Sequence, residues 1–64
     1  MNVIKNRREK LGLTQKIFAK KLNVSQQAVT KWETGESSPR ADKLPEIAKL
    51  LGCTIDQLFD EQTA

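Results

Sequence analysis

The feature that most constrains this chain is a pair of short amphipathic segments separated by a four-residue turn. Residues 15–22 place their apolar side chains on one face at helical spacing, and the small Ala19 leaves room for a close neighbour. Residues 26–33 place Val29 and Trp32 three apart in the same way. Because so short a turn must be sharp, we expect two helices that cross closely and share one core.

Both segments follow a residue that can cap a helix. The hydroxyls of Thr14 and Ser25 can accept from the free N–H groups of the turn that follows each of them. Asn23 is one of the few non-glycine residues that tolerate a positive φ, so it can end the first helix in the left-handed region. These signals predict a helix-turn-helix.

The second helix divides into two faces. At roughly 100° per residue, Gln26, Gln27, Thr30 and Lys31 occupy one arc of about 140°, opposite the apolar anchors. Glutamine can pair with adenine, lysine with guanine, and threonine with either type of edge or with a thymine methyl group. An ordinary solvated helix face would carry similar residues, so the arc alone leaves both interpretations open.

The charge is unevenly distributed along the chain. The net charge is +3, yet residues 1–40 carry nine basic and three acidic groups, and residues 41–64 carry two basic and five acidic ones. The part with a charge of +6 contains the helix-turn-helix, and the remainder has a charge of −3. Such polarity steers a polyanion toward one side of a molecule.

Several function classes find no support in the composition. The chain has one cysteine and no histidine, so we expect no internal disulfide, no zinc site, no other metal or cofactor, and no enzymatic activity. Cys53 is expected to act as a small hydrophobic residue near a helix junction. We see neither a leader nor an apolar run of membrane-spanning length, and we therefore expect a cytoplasmic protein.

Arg8 is the charged residue that most needs explanation. It lies between Ile4 and Leu11 on the core-facing stripe of a helix predicted over residues 3–11. An arginine there needs a partner, and Glu33, at the boundary between the two faces of its helix, is the best candidate. The alternative is that Arg8 extends its guanidinium into solvent.

Two more helices are predicted downstream. Residues 41–51 show a strong amphipathic period, with Pro45 in or just after the first turn, where a missing N–H costs little. Thr54 and Gln57 form a capping box for a short last helix, and residues 60–64 are expected to be a tail.

The fold class follows from these elements. We expect an all-α, compact five-helix domain over residues 1–59, with no strand and no repeat. Its predicted core consists of Ile4, Leu11, Phe18, Leu22, Val24, Val29, Trp32, Leu44, Ile47, Leu51 and Leu58.

A resemblance to a known family extends over nearly the whole chain. It is strongest at Gln15, Ala19, Val24, Ser25, Val29, Trp32, Glu33 and Gly35, and it continues through residues 13–14 and 50–59. This pattern resembles the Cro/phage-repressor type of helix-turn-helix DNA-binding domain. The resemblance implies a lambda-repressor-like fold and an Arg8–Glu33 ion pair that links the first and third helices. Asn23 departs from the pattern, because the family usually has glycine there.

The expected function is that of a sequence-specific double-stranded DNA-binding transcriptional regulator, and the expected effect is repression. Gln26, Gln27, Thr30 and Lys31 would contact bases in the major groove. The resemblance also suggests that Gln26 braces Gln15. The candidates for phosphate contacts are Thr14, Gln15, Lys16, Thr34, Ser37, Ser38 and Arg40.

The family usually binds as a two-fold dimer, so the expected target is a palindromic operator. Ile55 and Phe59 are the candidate dimer contacts, and we see no further oligomerisation segment, so a weak or DNA-assisted homodimer is expected. The alternative function is a protein-binding regulatory module, such as an antitoxin-like or anti-repressor partner, that uses the apolar C-terminal surface.

Overall fold

A computed structural model describes the backbone of residues 2–63 and the side chains of residues 3–59. This part of the chain is all α-helical, as the sequence predicts, and none of its helices is long and apolar enough to cross a membrane. The helices are α1 (Asn2–Lys10), α2 (Gln15–Leu22), α3 (Gln26–Thr34), a 3₁₀ turn (Ala41–Lys43), α4 (Leu44–Leu51) and α5 (Ile55–Thr63).

Local hydrogen bonds define the starts of α2 and α3 and the turn between them. The Thr14 hydroxyl accepts from the Ile17 N–H at 3.1 Å, and the Ser25 hydroxyl accepts from the Ala28 N–H at the same distance. Asn23 ends α2 at a φ of 58°, and its N–H donates to carbonyl groups in the last turn of α2. The predicted helix-turn-helix is therefore present, with the predicted caps.

The core lies between the helix-turn-helix, formed by α2 and α3, and the helices α1, α4 and α5. Val29 and Trp32 attach α3 to it, and α1 packs against α3, α4 and α5. Val24, Leu44 and Cys53 are partly buried against its edge. The buried members are Val3, Ile4, Phe18, Ala19, Leu22, Val29, Trp32, Ile47, Ala48, Leu51 and Leu58.

The predicted core is wrong at Leu11. Its side chain is 53% exposed, because α1 ends at Lys10 and the chain reverses through Gly12 at a φ of 73°. Leu13, after the reversal, is the residue that packs against the core, and Val3 is buried at the start of α1. The apolar period of α1 therefore stops one residue earlier than the sequence suggests.

The C-terminal part follows the predicted pattern with two differences. A 3₁₀ turn precedes α4, so Pro45 becomes the second residue of that helix, where no N–H partner is lost. Thr54 and Gln57 form a reciprocal capping box with N···O distances of 3.1 and 2.9 Å. Helix α5 includes residues 60–63, which were expected to belong to a tail, and Ala64 lies outside the described residues.

The left-handed position of Asn23 generates a stability prediction. We expect Asn23→Ala to lower the free energy of unfolding by about 1 kcal/mol, because alanine is disfavoured at positive φ and has no polar side chain to compensate. Asn23→Gly is the matched control and should retain the wild-type value to within about 0.5 kcal/mol. Urea denaturation followed by circular dichroism measures both, and equal stability of the two variants would contradict this explanation.

Candidate nucleic-acid interface

One face of α3 is free to contact another molecule. Val29 is fully buried and Trp32 is 6% exposed, so the helix is fixed to the core along this side. The side chains of Gln26, Gln27 and Lys31 on the other side are exposed. The separation of faces inferred from the helical period is therefore present in the fold, and the two glutamine carboxamides are accessible.

A buried ion pair joins α1 to α3. The Arg8 Nε lies 2.8 Å from Glu33 Oε2, and the second Arg8 contact, to Oε1, measures 3.2 Å. Another guanidinium nitrogen donates to the Leu13 carbonyl oxygen at 2.6 Å. The two charged side chains are only 8% and 4% exposed, which excludes the alternative that Arg8 extends into solvent.

Gln15, the first residue of α2, extends this network across to α3. Its Nε2 donates to Glu33 Oε1 at 2.9 Å, and its Oε1 accepts from the Thr30 hydroxyl at 2.9 Å. Gln15 is therefore braced by Thr30 and Glu33, and not by the Gln26 side chain as the resemblance implied. A carboxylate is a stronger acceptor than a neutral amide, which explains why Glu33 takes the Gln15 N–H.

The hydroxyl of Thr30 has a second neighbour within its own helix. Its oxygen lies 3.1 Å from the Gln26 carbonyl oxygen and 2.9 Å from Gln15 Oε1. A hydroxyl has a single proton to donate, and both neighbours are acceptors. Thr30 was expected to contact a base edge or a thymine methyl group; because its proton is committed within the protein, its methyl group and its oxygen lone pairs remain for such a contact.

The start of α2 carries the next group of candidates for phosphate contacts. Thr14 and Lys16 are exposed on either side of the half-buried Gln15. The first turns of α2 and α3 contain no acidic residue, so no carboxylate of these turns neutralises the partial positive charge of the helix ends. An anion is accordingly favoured beside this surface.

The segment after α3 is held close to the end of that helix. Gly35 ends α3 at a φ of 86°, and the Ser37 N–H donates to the Lys31 carbonyl oxygen at 3.3 Å. The Thr34 hydroxyl donates to the same carbonyl at 3.2 Å. Because the Ser37 N–H is already used, a phosphate contact from Ser37 has to come from its exposed hydroxyl.

The rest of this segment presents exposed donors from a fixed backbone. Pro39 is buried, whereas Ser38 and Arg40 are exposed. The Arg40 Nε lies 3.9 Å from an Asp42 carboxylate oxygen, with the two side chains 88% and 73% exposed. An exposed pair at that distance is weak, so Arg40 can exchange Asp42 for another anion.

The C-terminal helix leaves two apolar side chains uncovered. Leu58 is fully buried, whereas Ile55 and Phe59 are 38% and 46% exposed. Ile55 and Phe59 are four residues apart on α5 and so lie on the same face.

Among the described residues, no group of three potential metal ligands occurs that could hold an ion.

Comparisons with known proteins agree with this geometry. A helix-turn-helix family model matches residues 4–58. The chain is 42% identical to the HTH-type transcriptional activator BcrR of Enterococcus faecalis over 48 residues, covering 75% of this chain and 24% of BcrR. It is 36% identical over 56 residues to Repressor protein C2 of Salmonella phage P22, and the match covers 88% of this chain and 26% of Repressor protein C2.

A third relative is the HTH-type transcriptional regulator DicA of Escherichia coli, 39% identical over 51 residues, with 80% of this chain and 38% of DicA covered. The chain thus spans between about a quarter and two fifths of the length of these three relatives. No solved structure gives a significant match. With five α-helices in its described residues, the predicted turn and a family match over most of its length, the chain belongs to the Cro/phage-repressor type of helix-turn-helix domains.

Proposed function

We propose that this chain is a sequence-specific double-stranded DNA-binding regulator of transcription. The observation that carries the proposal is the division of α3, which has Val29 and Trp32 inside the core and Gln26 and Gln27 exposed on the opposite side. The names of the relatives, a transcriptional activator and a phage repressor among them, support the same function. We propose no enzymatic activity and no cofactor.

In this proposal α3 enters the major groove with its N-terminal end first. Gln26, Gln27 and Lys31 contact base edges, and the Thr30 methyl group is available to a thymine methyl. The phosphate contacts fix the register of the helix along the groove. They come from Thr14, Gln15 and Lys16 at the start of α2, from Thr34 at the end of α3, whose hydroxyl exchanges the Lys31 carbonyl for a phosphate oxygen, and from Ser37, Ser38 and Arg40 after α3.

We further propose that the protein acts as a repressor within the cytoplasm, where bacterial and phage DNA is found. A domain that covers a promoter blocks other proteins by occupancy alone, and repression therefore requires no additional surface. Relatives named as activators and as repressors both contain this type of domain, so the domain itself is compatible with either effect.

The proposed target is a palindromic operator bound by two copies. Half-sites about 34–36 Å apart place two recognition helices on the same side of the duplex. Ile55 and Phe59 offer an apolar contact between copies, but two partly exposed side chains provide far less than the roughly 1,200 Å² of a stable interface. We therefore propose a weak, DNA-assisted homodimer.

Selection of bound oligonucleotides from a random pool tests the proposed function directly. The expected result is an enriched inverted repeat with half-sites one helical turn apart. If the protein shows a normal melting transition but enriches no DNA sequence, the proposal is overturned and the protein-binding alternative is favoured.

The base contacts generate the first binding prediction. Gln27→Ala should cost about 1–3 kcal/mol of discrimination at one base pair of each half-site, because a bidentate amide contact is lost. Fluorescence titration against operators substituted at each position measures it. Gln27 is exposed, so the melting temperature should stay unchanged, and equal losses on all operator variants would argue against a base contact.

The phosphate contacts predict a change in salt dependence. Lys16→Ala should reduce the slope of log K against log salt concentration by about 0.9 per half-site, because one fewer counterion is released. Lys49→Ala is the matched control, since Lys49 is also an exposed lysine and lies on α4, outside the proposed interface. Titrations at four salt concentrations distinguish the two, and equal slope changes would show only a general charge effect.

The proposed dimer contact predicts a loss of cooperativity. Phe59→Ala should weaken binding to the complete operator while leaving the affinity for an isolated half-site unchanged. Leu11→Ala serves as the control, because Leu11 is another exposed apolar residue and does not belong to α5. Gel-shift titrations on both DNA lengths give the comparison. A similar loss of affinity for the half-site would show that Phe59→Ala acts by destabilising the fold instead.

A further inference from the structure

We propose that Thr30 acts on DNA through Gln15: its hydroxyl holds the Gln15 carboxamide in the one orientation that keeps an N–H available for a phosphate oxygen. This inference rests on the proposed function, and it assigns the Thr30 hydroxyl a positioning role rather than a contact with a base edge. It starts from the 2.9 Å contacts that Gln15 makes with Thr30 and with Glu33.

The two ends of the Gln15 carboxamide have different neighbours. Its nitrogen faces a carboxylate oxygen of Glu33, and its oxygen faces the hydroxyl of Thr30. If the amide rotated by half a turn, its oxygen would face the negatively charged Glu33 oxygen, and two acceptors would be in contact. Only one of the two orientations is therefore compatible with its neighbours.

Glu33 cannot turn away to relieve that conflict. Arg8 contacts both of its carboxylate oxygens, at 2.8 and 3.2 Å, in a site where both side chains are almost fully buried. A planar guanidinium that contacts both oxygens fixes the plane of the carboxylate as well as its position. The buried pair thus sets Glu33, and Glu33 and Thr30 together set Gln15.

The Gln15 carboxamide keeps one donor that no group of the described residues uses. A glutamine carboxamide offers two N–H donors and an oxygen with two lone pairs. Glu33 takes one donor and Thr30 takes one lone pair, so a single N–H of Gln15 is left for a phosphate oxygen. Thr30 lies on the base-reading helix, and this link therefore ties the position of α3 in the groove to a contact with the backbone of the duplex.

Thr30→Val tests the proposal, because valine removes the hydroxyl and keeps the size and β-branching of the side chain. The expected result is a loss of about two- to tenfold in affinity, the effect of one weakened hydrogen bond, with equal loss on every operator variant. Thr30→Ser keeps the hydroxyl and should therefore avoid this uniform loss. A change of preference confined to one base pair in Thr30→Val, which keeps the methyl group, would overturn the proposal, since it would make the Thr30 hydroxyl a base contact.

A double-mutant cycle isolates the path through Gln15. Gln15→Ala with Thr30→Val should bind no more weakly than Gln15→Ala alone, because Thr30 has no contact left to position. Additive losses would overturn the proposal. A methylphosphonate placed at the phosphate that Gln15 contacts should likewise abolish the difference between wild type and Thr30→Val, whereas placement elsewhere in the operator should preserve it.

An NMR measurement on the protein without DNA gives a readout that is independent of binding. The Gln15 side-chain NH₂ resonances should shift, and exchange faster with water, in Thr30→Val but not in Thr30→Ser. Unchanged resonances would overturn the proposal. If wild-type protein itself selected no operator, the proposed function would fail; if wild type bound normally and only the cycle were additive, the positioning role alone would fail.

Discussion

The arrangement of this domain depends on a charge pair that is removed from water. Moving a guanidinium and a carboxylate into a protein interior costs several kcal/mol for each ion, and the cost is recovered only when both are paired and hydrogen-bonded. Here Arg8 contacts both oxygens of Glu33 and the Leu13 carbonyl, while Gln15 donates to the same carboxylate. The pair thereby fixes the orientation of α3 relative to α1 and to the start of α2.

That constraint allows a helix of nine residues to have two functions. Val29, Trp32 and Glu33 are buried, so α3 is held by apolar contact along most of its inner side and by the ion pair near its end. Its outer side carries side chains that are not required for packing. Residues there can change without loss of the fold, which is how one scaffold can serve different DNA sequences.

The sequence predicted those parts of the structure that are determined locally. The caps at Thr14 and Ser25, the left-handed Asn23 and the Thr54–Gln57 box depend on residues within a few positions of one another, and all are present. Leu11 was assigned wrongly because the helical period does not reveal where α1 stops. The contact between Gln15 and Thr30 was missed because it depends on the angle at which two helices cross.

The choice of capping residues has a consequence for the electrostatic field of the domain. Aspartate would cap α2 or α3 about as well as a hydroxyl, and a carboxylate there would add roughly 0.3–1 kcal/mol through the helix dipole. α4 and α5 carry acidic residues in their first turns, whereas α2 and α3, capped by uncharged hydroxyls, do not. The domain thus forgoes some stability at the two helix starts where a carboxylate would repel a polyanion.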